Sequence, residues 1–97
     1  MQEDEELTPT QAANIQGLAQ RTGVLLIWTV TTKTKDFGDR FVARPHWIGN
    51  HGGRSSGAMA CYLIADTLGA LHEMLPPGLT QLDRQAGDEA MIVETWL

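Results

Sequence analysis

The sequence predicts a small single domain of the α+β class, in which two helices accompany an antiparallel sheet of about five strands in the order α-β-β-β-α-β-β. Two observations predict this class. The 97-residue chain opens with a capped, amphipathic helix signature. Segments rich in β-branched and aromatic residues then alternate with glycine- and proline-containing breaks. The domain is expected to span residues 7–97, after a mobile acidic tail of residues 1–6.

The N-terminal helix is predicted from its caps. Thr8 followed three residues later by Gln11 is a capping box, and Pro9 stands at the first helical position, where its missing N–H costs nothing. Gly23 is expected to end the helix, because glycine adopts the left-handed conformation that a side chain resists.

Two strands are predicted next. Val24–Thr32 reads as a central strand with both faces covered, since its start is apolar. Arg40–Ile48 is expected to pair with it as a hairpin across the polar turn Lys33–Asp39. Pro45 lacks an N–H donor, which favours an edge strand or a bulge at that position. A free edge there would allow a homodimer.

The remaining elements follow from the breaks in the chain. Four glycines in Gly49–Gly57 predict a flexible loop, whose backbone N–H groups could hold an anion. Ala58–Ala65 fits a strand or a helix, with a strand preferred. Asp66 or Thr67 is expected to cap a short helix that ends at Leu75 before two prolines. The chain then closes with a hairpin of Leu79–Arg84 and Met91–Leu97 across the turn 85–89.

Composition excludes several classes of protein. No apolar run approaches the roughly 20 residues that span a bilayer, and the acidic N-terminus is unlike a secretory signal. The single cysteine, Cys61, lies among apolar residues and is expected to be a buried, unreactive thiol. These features indicate a cytoplasmic protein without a membrane partner.

The charge pattern is the most informative feature for function. The net formal charge is −5, yet the segment from Arg21 to Arg54 holds six basic and two acidic residues. Such an uneven surface steers and orients partners. The sequence therefore predicts a non-enzymatic protein-binding module without a cofactor or metal. The predicted partner-binding residues are Lys33, Lys35, Arg40, Arg44, His46, Trp47, His51 and Arg54.

Three separated blocks of sequence also carry a resemblance. They are Trp28-Thr-Val with Asp36-Phe37 and Phe41-Val-Ala-Arg44, then Leu75-Pro-Pro-Gly-Leu79, then Asp88 with Glu94-Thr-Trp-Leu97. This pattern resembles a set of short uncharacterised proteins of proteobacteria and their phages. The resemblance implies no catalytic residues. It implies a phage-derived inhibitor of a host machine, with an anti-defence or anti-CRISPR-like role.

Other functions stay open at this point. The basic hairpin 33–54, interleaved with aromatic residues, is typical of a surface that binds nucleic acid or a phosphate ligand. The acidic residues Glu3–Glu6, Asp83, Asp88, Glu89 and Glu94 would imitate a phosphate backbone if they shared one surface. A small enzyme would use His46, His51 and Ser55, provided that a pocket brings them together.

Overall fold

The computed structural model describes residues 4–51, 54–82 and 92–97. Within these ranges the chain forms two helices and a seven-stranded mixed sheet, so the α+β class is confirmed and the sheet has more strands than predicted. The elements are β1 (Glu5–Glu6), α1 (Pro9–Arg21), β2 (Leu25–Thr31), β3 (Phe41–His51), β4 (Arg54–Ala58), β5 (Cys61–Ala65), α2 (Leu68–Met74), β6 (Gln81–Leu82) and β7 (Ile92–Trp96).

The long hairpin of β2 and β3 forms the centre of the sheet. The strand order is β1-β5-β3-β2-β7-β6, and β4 pairs with β3 alongside β5. All of these pairs are antiparallel except β1 with β5. Glu5 and Glu6, which the sequence analysis assigned to the acidic tail, form β1. No local pattern predicted this strand, because its partner β5 lies more than fifty residues further along the chain.

Both helices begin and end close to their predicted boundaries. The capping box of α1 is present: the Gln11 N–H donates to the Thr8 hydroxyl at 3.1 Å, and the Gln11 side chain accepts from the Thr8 N–H at 2.8 Å. Gly23 follows the helix with a φ of 75°. Thr67 caps α2 by accepting from the N–H of Ala70 at 3.1 Å.

Pro45 lies in the middle of the sheet, so the edge-strand alternative was wrong. β3 pairs with β2 along one side and with both β4 and β5 along the other. On that second side, Ala43 faces Leu63 of β5 and His46 faces Ala58 of β4. The two β3 residues between these pairs, 44 and 45, therefore lie opposite the four residues 59–62. The missing N–H of Pro45 falls within this irregularity, as the bulge alternative predicted, and the Pro45 carbonyl still accepts from Met59 at 3.0 Å.

The glycine-rich segment is largely strand, which corrects the predicted loop. β3 continues to His51 and β4 begins at Arg54. Glycine serves packing here, because a Cβ on Gly57 would lie 3.0 Å from three atoms of the Trp47 indole. Gly52 and Gly53, on which the anion-binding prediction rested, lie outside the described residues.

The helices cover one face of the sheet, which we call the inner face. Its core combines Ala12 and Ala19 of α1 and Leu71 of α2 with strand residues. The strand residues of this core are Leu26, Trp28, Val30, Ala43, Cys61 and Leu63. The indole N–H of Trp28, which is fully buried, donates to the side-chain oxygen of Gln16 at 2.9 Å. This bond satisfies the indole N–H and the Gln16 side-chain oxygen where α1 crosses the sheet.

The opposite face of the sheet, the outer face, is not covered by either of the described helices. Strand alternation and register place on it Leu25, Ile27 and Thr29 of β2, Val42, Arg44, His46 and Ile48 of β3, and Tyr62 and Ile64 of β5. β2 is a central strand, as predicted, but its outer face is incompletely covered, since Leu25 is 43% exposed.

The C-terminal hairpin is confirmed in part. β6 pairs with β7 through Gln81 opposite Trp96 and Leu82 opposite Thr95. The predicted turn 85–89 lies outside the described residues. A register shift opposite Val30 and Thr31 interrupts the alternation of β7, and Val93 and Trp96 both pack against the inner core.

Candidate functional site on the outer face of the sheet

The outer face is apolar in a position where polar residues are usual. Leu25 and Ile48 lie directly opposite each other in the register of β2 and β3, and they are 43% and 42% exposed. Ile27, next to them, is partly exposed and faces His46. An antiparallel sheet with one solvated face normally places polar side chains on that face. We call Leu25, Ile27 and Ile48 the apolar patch.

The other part of the outer face is covered by the connection between β2 and β3. Phe37 packs on Tyr62 with ring centroids 4.9 Å apart. The Arg44 guanidinium lies 5.9 Å from the Phe37 ring and 5.5 Å from the Tyr62 ring. Val42 is consequently 1% exposed, although it does not belong to the inner core. Within this connection, the Thr34 carbonyl accepts a hydrogen bond from the Gly38 N–H at 2.9 Å.

Arg44 is also paired with Asp4, which precedes β1. This ion pair joins the acidic N-terminal segment to the basic segment, forty residues apart in sequence. Asp4 of the acidic segment therefore lies against Arg44 of the basic segment and is not separated from it. The cations that remain exposed beside the outer face are Lys33, Lys35 and Arg40, in the connection that we call the basic loop (Lys33–Arg40).

The predicted partner-binding residues are divided between surfaces. Three lie in the basic loop, and Arg44 and His46 lie on the outer face. Trp47 points to the inner side, where it packs against Gly57 and the core. His51 and Arg54 face each other at the far end of the β3–β4 hairpin. The fold thus brings five of the eight residues toward one face.

Two of the residues named for the small-enzyme alternative, His46 and His51, lie on β3. His46 and His51 are five residues apart on one strand, which corresponds to roughly 17 Å along its backbone. Ser55 lies in β4, and its side chain is outside the described part of the structure. Over the ranges that the structure describes, no three histidine, cysteine, aspartate or glutamate side chains form a group that could hold a metal ion.

A polar cluster that the sequence did not predict joins α2 to the C-terminal hairpin. The carboxylate of Glu94 lies 2.6 Å from His72 Nε2, accepts from the Trp96 indole at 3.0 Å and accepts from Gln81 at 3.2 Å. The Glu94 side chain is only 9% exposed. Glu94 therefore ties three elements together and does not contribute to an exposed acidic surface, contrary to the mimicry prediction. Four other members of that set lie outside the described residues: Glu3, Asp83, Asp88 and Glu89.

Cys61 is buried, with 7% of its surface exposed. Burial raises the pKa of its thiol, and the negative charges of Glu5 and Asp4 raise the pKa further, against a smaller opposite effect of Arg44. A protonated thiol is a poor nucleophile. The predicted burial of Cys61 is confirmed.

Comparison with protein-family models, curated proteins and solved structures finds no match. The resemblance to short phage and proteobacterial proteins therefore stays a prediction. The described helices include none that is long and apolar enough to cross a membrane.

The apolar patch was not predicted from the sequence, although a signal was present. Leu25 and Leu26 are adjacent, as are Ile27 and Trp28, so both faces of β2 carry large apolar residues. That pattern indicates two buried faces, whereas the helices that the structure describes cover only one of them.

Proposed function

We propose that the chain is a non-enzymatic protein-binding module that holds an acidic partner against the outer face of its sheet. The observation that carries the proposal is the apolar patch of Leu25, Ile27 and Ile48 on a face that neither described helix covers. Contiguous apolar patches that stay exposed in a folded chain commonly mark interaction sites.

The residues around the patch suit an interface. Covering the exposed part of Leu25 and of Ile48 contributes about 1 kcal/mol for each side chain. Arg44 and Tyr62 belong to the residue types that dominate binding energies at interfaces. Their mutual packing with Phe37 orders them before a partner arrives, so less conformational entropy is lost on binding.

The exposed charges favour an acidic partner. Lys33, Lys35 and Arg40 are exposed in the basic loop beside the outer face. Asp36 and Asp39 reduce the net charge of this loop without reversing it. Charges at the rim of an interface mainly raise the association rate and set the orientation of the partner.

We extend the proposal to inhibition of a host protein by a phage-derived chain. This extension rests on the resemblance of the three sequence blocks and on the small size of the chain. A small module inhibits by occupying a surface that the target needs, which requires no chemistry of its own.

Affinity capture tests the proposal with matched variants. Wild-type chain, Ile48→Glu and Leu18→Glu are immobilised, and proteins retained from a host lysate at low salt are purified for direct titration. Ile48 and Leu18 are both exposed aliphatic residues, on the outer face and on α1 respectively. The partner should bind wild type and Leu18→Glu alike, and Ile48→Glu roughly tenfold or more weakly. Equal binding to Ile48→Glu, or no retained partner, would refute the proposal.

Nucleic-acid binding is the second candidate, and one observation favours it. The exposed cations of the basic loop adjoin the aromatic pair of Phe37 and Tyr62. Against it, the Arg44 charge is already paired with Asp4. A labelled single-stranded oligonucleotide distinguishes the two functions: binding that falls steeply with salt and is weakened by Lys35→Ala would favour nucleic acid.

A further inference from the structure

We propose that the free edge of β4, with the apolar groove beside it, binds an extended peptide segment that is apolar at alternate positions and basic at one end. This site lies on the inner side of the sheet, away from the outer face. It does not depend on the function proposed above.

The groove lies between α1 and the β3–β4 hairpin. It has a volume of about 540 Å³, and its walls include Ile15, Leu18, Val24, Trp47 and Met59. This volume is within the range of roughly 300–1,000 Å³ that is usual for ligand sites. None of the described residues that line it is charged, and Leu18 is 56% exposed. Thr22, which also lines the groove, already donates its hydroxyl proton to the Leu18 carbonyl at 2.9 Å. The walls therefore suit uncharged, apolar side chains.

The edge of β4 supplies backbone groups next to this groove. In the described part of the sheet, β4 pairs with β3 on one side and has no partner strand on the other. Alternate residues of such a strand direct their N–H and C=O groups away from its neighbour. The indole of Trp47 lies against Gly57 of β4, so the groove and the strand edge are contiguous. A peptide strand added to β4 would place every second side chain on the groove side.

Charge at the end of this edge selects a basic peptide. β1 continues along the same side of the sheet, where the Glu5 N–H donates to the Ala60 carbonyl at 3.0 Å. Glu5 and Glu6 are exposed, and neither belongs to the ion pairs found among the described residues. A peptide on β4 ends beside these carboxylates. The net charge of −5 opposes a second copy of the chain as the occupant.

A designed peptide tests this site. The probe is a fluorescein-labelled peptide with two lysines at one end, followed by alternating valine and serine, and its binding is measured by anisotropy. Leu18→Glu should weaken binding by roughly tenfold or more, because it places a charge in the apolar groove. Leu82→Glu, the same change at an exposed leucine of β6, should leave binding unchanged. Glu5→Gln should weaken binding and reduce its dependence on salt.

Hydrogen exchange distinguishes strand addition from simple filling of the groove. Saturating peptide should slow exchange of alternate amides in β4, and N-methylation of the peptide at one set of alternate amides should abolish binding. Failure of the peptide to bind at millimolar protein, binding unaffected by Leu18→Glu, or unchanged β4 amides would overturn the proposal. So would sedimentation showing that the chain alone dimerises through β4. Loss of the outer-face partner with Ile48→Glu is a separate result, so the two proposals fail independently.

Discussion

Replacing Gln16 with methionine removes the acceptor of the Trp28 indole while keeping an unbranched side chain of similar length. Trp28 is 0% exposed and Gln16 is 8% exposed, and their bond is 2.9 Å long. The change therefore leaves a buried N–H without a partner. The substitution tests whether the hydrogen bond between Gln16 and Trp28 holds α1 on the inner face of the sheet. Packing of α1 on the inner face leaves the outer face uncovered by this helix.

The expected magnitude follows from the burial of both groups. A buried donor left unpaired costs about 1–3 kcal/mol. Burial of the more apolar methionine side chain offsets part of this cost. The free energy of unfolding is therefore expected to fall by about 1–2 kcal/mol. For a chain of this size each 1 kcal/mol lowers the melting temperature by about 4–8 °C, which predicts a decrease of roughly 4–16 °C.

Urea denaturation and thermal melting monitored by circular dichroism measure the effect. Gln20→Met is the matched control, since Gln20 is exposed on the same helix and the same change there should cost less than about 0.5 kcal/mol. In the Trp28→Phe background, where the donor is gone, Gln16→Met should no longer destabilise. Equal, small effects of Gln16→Met and Gln20→Met would show that this hydrogen bond does not hold α1 in place.

Three further predictions concern packing and the cysteine. Gly57→Ala should destabilise the chain by about 1–3 kcal/mol in urea denaturation, because its Cβ meets the Trp47 indole at 3.0 Å. Gly69→Ala, in α2 with open space around it, should instead stabilise by up to about 1 kcal/mol. The free energy of unfolding should fall as the pH rises past 9.0, the ordinary pKa of the thiol, because folding raises the pKa of Cys61. Cys61→Ala should remove that slope, and a slope that persists would contradict this assignment. Glu5→Gln should reduce the slope, because the negative charge of Glu5 contributes to the raised pKa of Cys61.

Local elements were predictable because their signals lie within a few residues. The capping box joins Thr8 to Gln11, and Gly23 ends the helix that they begin. The hairpin of β2 and β3 was predictable for a similar reason, since a polar turn separates two β-rich segments. The glycine-rich segment was misjudged, because the reason for Gly57 is an indole from the neighbouring strand, which composition does not reveal.

The candidate site could be predicted only in part. The basic residues of the loop were identified from the sequence, and the structure places them beside the outer face. Pairing of Arg44 with Asp4 joins residues far apart in the chain, so charge counting could not anticipate it. The apolar groove forms only where α1 packs near Trp47, and helical periodicity does not show which neighbour a helix meets.

The sequence by itself determined where the helices begin and end and which segments are extended, because hydrogen bonds between near neighbours and the backbone limits of proline and glycine act locally. Only the tertiary structure decided which face of the sheet the helices cover. Strand alternation defines two faces, and on β2 both are apolar, so the pattern alone does not choose between them. The choice is made by long-range contacts such as Gln16 with Trp28. It leaves Leu25 and Ile48 exposed and buries Pro45 in the centre of the sheet.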